Sequence, residues 1–203
     1  MTDAAVLEPP PAQSPPATTE ARRQFARRLL RAVERAFAIV GVILLVYMIG
    51  FRVDIMTSGS MSPTLQGNGK AGSDWVLSEH FTHMFRKPRR WELVAFRNDE
   101  GLQIMKRVVA LPGEGVGLTK EGGVLIDGAL TERPASLSKI EYLPCGLLAV
   151  GKTVQTGSGY AVLGDYSRDS EDSRWEKPIE TEMMNGRPWL IVWPLSRFGF
   201  VNP

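Results

Sequence analysis

Cysteine is almost missing from this chain. Cys145 is the only one in 203 residues, which excludes an intramolecular disulfide framework and any multi-cysteine metal site. Histidine is nearly as scarce. His80 and His83 are the only two, and although their spacing would put both on one face of a helix, no carboxylate or cysteine is placed to complete a metal site. No metal and no cofactor is expected. Charge of one sign is lacking too, with a formal net charge of +2. Six arginines (Arg22, Arg23, Arg27, Arg28, Arg31, Arg35) and four acids precede Ala36; of the 24 bases and 22 acids in the chain, 18 of each then remain. A neutral body excludes nucleic acid as a partner, since such binding rests on phosphate contacts. No internal repeat is evident, and only one apolar run is long.

That run, Ala36 to Phe51, reads AFAIVGVILLVYMIGF and holds no charged residue. At about 1.5 Å per residue it spans roughly 24 Å of a hydrocarbon core about 30 Å thick. Val33 extends it by a turn, and Arg35 and Arg52 can snorkel to make up the rest. Arginines on one side only orient the segment with its N-terminus cytoplasmic. No small-x-small motif follows in MIGFRVD, so the segment reads as an uncleaved anchor rather than a signal peptide. Residues 1–17, rich in proline and alanine, are expected to be a disordered tail. Residues 18–52 then form a basic helix and transmembrane anchor. Residues 53–203 make an extracytoplasmic domain beyond the lipid bilayer.

The domain reads as strands and turns. WELVAF (91–96), GLQIMKRVVAL (101–111), GGVLIDGAL (122–130), GYAVLGD (159–165) and PWLIVWP (188–194) are short β-branched or aromatic runs punctuated by glycine, proline and aspartate. Asp127-Gly128 marks a two-residue hairpin. The helices expected are a single turn at SPTL and one in SEHFTHMFR. The fold class is mainly β, an antiparallel β-sheet domain tethered to one N-terminal transmembrane helix.

Hydroxyls crowd the exit from the anchor, in DIMTSGSMSPTLQGN (54–68). A serine needs a base within hydrogen-bond reach to become a nucleophile. A lysine can fill that role when burial in an apolar setting keeps it neutral. Lys106 is the one lysine embedded in an apolar strand, and strand alternation points it opposite to Met105 and Arg107.

The order of three short stretches behind the anchor is specific. SGSMSPTL (58–65), MKRVVALPGE (105–114) and GDYSRDSEDSR (164–174) resemble, in sequence order, the nucleophile, lysine and third boxes of bacterial type I signal peptidases. These are membrane-anchored Ser/Lys proteases that remove signal peptides from exported preproteins. GGVLIDGALTERP and GRPWLIVWPLSRFG resemble further family strands, so the resemblance runs from the anchor almost to the last residue. It implies a serine endopeptidase with Ser60 as nucleophile and Lys106 as general base. The Ser58 hydroxyl and the Ser60 N–H would form the oxyanion hole. Ser170 would hold the lysine, and the Asp172–Arg174 pair would support the site. Met56, Met61, Leu65, Ile104 and Met105 would line shallow pockets for small side chains. The implied partners are signal-peptide-bearing preproteins near the secretion translocon, and the implied location is the inner (plasma) membrane. Thr57 stands where the family usually has proline, Tyr166-Ser167 where it has asparagine-arginine, and WEKPIE follows the last arginine in place of an aromatic-glycine pair.

Two other readings attach to the same residues. One is a maturation peptidase of the same fold with a dedicated substrate, and the other a catalytically silent membrane-anchored scaffold domain. A degenerate scaffold would be free to lose Ser60 or Lys106, and both are present. A self-cleaving repressor would need a DNA-binding domain where this chain has an anchor.

Overall fold

The computed structural model describes residues 17–67, 72–98 and 100–201. The tail expected over residues 1–17 lies, apart from Ala17, outside them. Helix α1 runs from Ala17 to Gly50. Its stretch Thr19–Gly50 is long and apolar enough to cross a membrane, and none of its apolar window is buried. The chain divides into two compact units between Val46 and Tyr47, so the last turn of α1 belongs to the β-rich unit.

The anchor was expected to continue to Arg52. Instead Phe51 opens strand β1, Phe51–Ile55, because Phe51 and Arg52 pair in register with Glu79 and Ser78 of β2, Trp75–Glu79. The same pairing shortens the helix expected in SEHFTHMFR to α2, Thr82–Phe85. Ser78 and Glu79 are spent on the sheet, and the Glu79 carboxylate accepts a hydrogen bond from the Thr82 N–H at 2.8 Å.

The remaining strands are β3 (Leu93–Arg97), β4 (Gln103–Ala110), β5 (Gly115–Leu118), β6 (Val124–Ile126), β7 (Ala129–Leu130), β8 (Val154–Gln155), β9 (Ala161–Leu163), β10 (Met184–Trp193) and β11 (Gly199–Phe200). They form two sheets, entirely antiparallel. The larger has the order β1-β2-β10-β3-β4-β9, with β11 added to β10; the smaller has the order β7-β6-β5-β8. The expected hairpin joins β6 to β7, with both Asp127 and Gly128 at positive φ, 50° and 84°. A two-residue turn matching the strand twist requires that conformation.

Alternation in β3 and β4 divides the core. Leu93 and Ala95 pack with Met105, Met61 and Leu65. Val94 and Phe96 point the other way, into a cluster with Val108 and Val162. The register pairs Val94 with Lys106 and Leu93 with Arg107. The two neighbouring cations therefore leave β4 on opposite faces.

Candidate active site

Ser60 sits on a tight turn just beyond β1. The Ser62 N–H donates to the Gly59 carbonyl and the Leu65 N–H to that of Met61, both at 2.9 Å. This is the single turn expected at SPTL. The turn is pinned from below, since Met61 and Leu65 are fully buried in the core with Val76 and Ile191. That corrects the sequence reading, which gave both residues to substrate pockets. Their side chains are directed inward and hold the turn instead.

Across from the turn, the Lys106 amine lies 2.8 Å from the Ser60 hydroxyl, and both side chains are buried. Burial pushes the Lys106 ammonium below the ordinary lysine range. The Asp172 carboxylate opposes this shift and the Arg174 guanidinium adds to it. A shift in this direction favours the neutral amine, the form a base must take. The Ser58 hydroxyl is 3.2 Å from that of Ser60.

At the wall of the cleft that also holds Ser60 and Lys106, Ser170 donates its proton to Asp172 Oδ2 at 2.7 Å. With that proton committed, Ser170 can serve Lys106 only through its lone pairs. Asp172 also accepts from the Gly164 N–H and, on both oxygens, from Arg174 Nε and a terminal guanidinium nitrogen, all within 2.9 Å. The Asp172 and Arg174 side chains are almost wholly buried. Gly164 allows the chain to close here: a Cβ on it would come within 2.2 Å of the Ser170 hydroxyl and 2.6 Å of the Ser60 carbonyl. Cys145, unassigned from sequence, accepts a long contact of 3.8 Å from Arg174.

A second buried pair was not legible in the sequence. Arg107 makes a two-pronged bond to Asp165, Nε to Oδ1 at 2.8 Å and a terminal nitrogen to Oδ2 at 2.7 Å, with both side chains fully buried. Thr64, read as a turn residue, donates to Asp165 at 2.5 Å, and the Tyr142 hydroxyl reaches it at 3.4 Å. Arg107 also donates to the Trp91 carbonyl at 2.7 Å. The serine turn, the lysine strand and the third box are thus tied together on the face of β4 opposite the amine.

A cleft of about 700 Å³ opens onto the dyad. Of the expected site residues it is lined by Met56, Ser58, Ser60, Ile104, Met105, Lys106 and Ser170. It also takes in Asp54, Ile55, Leu102 and Gln103, and a charged rim of Arg168, Asp169 and Glu171. Asp54 and Ile55 are adjacent on β1, so strand alternation alone could not have assigned both to one cleft. His80 and His83 do not line the cleft. Burial pushes His83 down despite nearby Glu92 and Glu79. Among the described residues no group of three or more histidine, cysteine, aspartate or glutamate side chains could hold a metal ion.

The family described as "signal peptidase, peptidase S26" matches residues 29–193. The chain is 31% identical to signal peptidase I of Leptolyngbya laminosa over 155 residues, covering 72% of this chain and 70% of that one. It is also 31% identical to the human mitochondrial inner membrane protease subunit 1, covering 73% and 74%. A crystal structure of a signal peptidase I from Enterococcus faecalis V583 aligns with a TM-score of 0.41 and 26% identity, covering 50% of this chain and 97% of that one. Matched over most of its length, and with relatives at 31% identity over more than two thirds of both chains, this chain belongs to the signal peptidase family, peptidase S26.

Proposed function

We propose that this protein is a membrane-anchored serine endopeptidase that cleaves N-terminal signal peptides from exported preproteins, with Ser60 and Lys106 as its catalytic dyad. The observation that carries the reading is the buried 2.8 Å contact between the Lys106 amine and the Ser60 hydroxyl. In this mechanism neutral Lys106 takes the Ser60 proton as Oγ attacks the scissile carbonyl, then passes it to the leaving amine. The Ser58 hydroxyl and the Ser60 N–H donate to the oxyanion. Ser170, fixed by Asp172, positions the amine.

Strand geometry supports an extended substrate. β1 ends the larger sheet, and β9 pairs β4 only over Arg107–Ala110, so Gln103–Lys106 pair on the β3 side alone among the named strands. A peptide laid between these edges would gain main-chain hydrogen bonds, and its alternate side chains would face the cleft. Met56, Ile104 and Met105 then favour small apolar groups one and three residues before the cleaved bond.

The N-terminal arginines support a cytoplasmic N-terminus and an extracytoplasmic domain; the same reading puts the protein in the inner (plasma) membrane, acting where preproteins leave the secretion translocon. Protease added outside spheroplasts should digest residues 53–203; their protection would reverse the orientation. The dyad is tested by preprotein cleavage in detergent. Ser60→Ala, Lys106→Ala and Lys106→Arg should each abolish it in folded protein, the last because guanidinium stays protonated. His80→Ala with His83→Ala should cost little. Substantial residual cleavage by any of the three would sink the assignment.

A further inference from the structure

The end of the apolar helix adjoins a basic pocket that the peptidase chemistry does not use. Its cavity of about 170 Å³ is lined by Arg86, Arg89, Arg90 and Arg187, with Glu92 among them. Arg86 and Arg187 both bond the one Glu92 carboxylate, at 2.7 and 2.8 Å. Arg90 pairs with Glu114 at 2.6 Å. Lys87 and Arg89 are exposed; the Arg89 backbone N–H donates to Glu92 at 2.9 Å, but among the described residues neither side chain forms an ion pair with a carboxylate. Counting Glu79, whose field reaches Arg86, five cations meet three carboxylates. Arginine is the side chain best suited to gripping a phosphate by parallel N–H donors.

Position selects the ligand. The register runs Phe51↔Glu79 and Glu79↔Arg187, which sets Arg187 two strand spacings, roughly 10 Å, from the first residue after α1. The His80 N–H donates to the Gly50 carbonyl at 2.9 Å. Phe81 meets Phe51 edge-on with ring centres 5.9 Å apart, fixing α2 at the helix exit. Beside it Phe51 also contacts Trp189 at 6.1 Å, the kind of aromatic belt that marks a headgroup layer. On α2, Met84 and Phe85 are 74% and 84% exposed. Two bare apolar side chains thus lead directly into the basic run Arg86-Lys87-Pro88-Arg89-Arg90. An apolar tip beside a cationic run is the pattern of an interfacial anchor on anionic lipid.

We propose that this pocket binds the phosphate headgroup of an anionic phospholipid, with Met84 and Phe85 entering the acyl boundary. The proposal rests on membrane anchoring and not on the identity of the dyad.

The test uses the full chain in neutral detergent micelles, titrated with phosphatidylglycerol or phosphatidylcholine, and native mass spectrometry to count retained lipid. Phosphatidylglycerol should be retained in preference, and the preference should weaken as salt rises. Lys87→Gln and Arg89→Gln should each weaken it about fivefold, as expected for one cation at a lipid surface. Both leave the Glu92 ion pairs in place, so folding and preprotein cleavage without anionic lipid should not change. Equal retention of the two lipids, or a double variant that binds like the parent, overturns the proposal. Competition by free glycerol 3-phosphate at concentrations equal to the lipid would also overturn it, by showing a site for soluble phosphate.

Discussion

Replacing Asp165 by alanine removes the carboxylate that joins three parts of the site. It would leave the Arg107 guanidinium, fully buried, with neutral oxygens such as the Trp91 carbonyl and Thr64 hydroxyl as its partners. Removing one member of a buried ion pair costs about 3–5 kcal/mol, because the remaining charge is stranded away from water. For a protein of this size each kcal/mol moves the melting temperature by about 2–4 °C, so Asp165→Ala should melt roughly 6–20 °C lower. All five tryptophans, Trp75, Trp91, Trp175, Trp189 and Trp193, lie after Val46. Intrinsic fluorescence during heating in detergent therefore reports the β-rich unit alone. Adding Arg107→Leu to Asp165→Ala removes the stranded charge and should restore at least ~2 kcal/mol. A fall of less than about 1 kcal/mol in the single variant, or no recovery in the double, would refute this account of the pair.

The lowered Lys106 pKa makes two effects run with pH. Cleavage should fall as pH drops through the depressed value and level off above it, because only the neutral amine can act as base; a profile flat from acid to alkaline would remove lysine from that role. Between the folded value and the ordinary lysine range, the unfolded chain holds a proton that the folded chain lacks, so this group's contribution to stability rises with pH. Lys106→Met, though inactive, should therefore stabilise the fold most at low pH, with a gain that shrinks toward alkaline pH in denaturant titrations. Specificity is read from one preprotein carrying phenylalanine at each of the three positions before the cleaved bond. Cleavage should be lost at the first and third and kept at the middle one. Tolerance next to the cleaved bond would mean that the cleft is misread.

Much of this site was legible because its parts are local. A serine turn, a lysine in an apolar strand and an acidic-basic stretch near residue 170 each have short sequence signatures. Their tertiary ties do not. Nothing in the sequence joins Arg107 to Asp165, 58 residues apart, since that pairing exists only once β9 lies beside β4. Met61 and Leu65 read as pocket residues because they are apolar beside a nucleophile. Solvent exposure, which sequence spacing does not specify, assigned them to the core. Among the strands, β1 was hidden by continuity with the anchor. β5, with the sequence GVGL, offers too little apolar contrast to signal a period of two.

The smaller sheet occupies the chain between β4 and β9, which are themselves neighbours, with Val108 opposite Val162 and Ala110 opposite Ala161. The chain departs from the lysine strand and returns beside it, so this excursion begins and ends at adjacent points of the larger sheet. Adding or removing residues at its outer turns, such as the exposed one closed by the Lys152 N–H on the Ala149 carbonyl, leaves that junction in register. Loop closure entropy also grows only slowly with length. The excursion is thus a side branch whose size can drift or be engineered freely at its far end, while its root, where Tyr142 touches Asp165, stays fixed by the catalytic sheet.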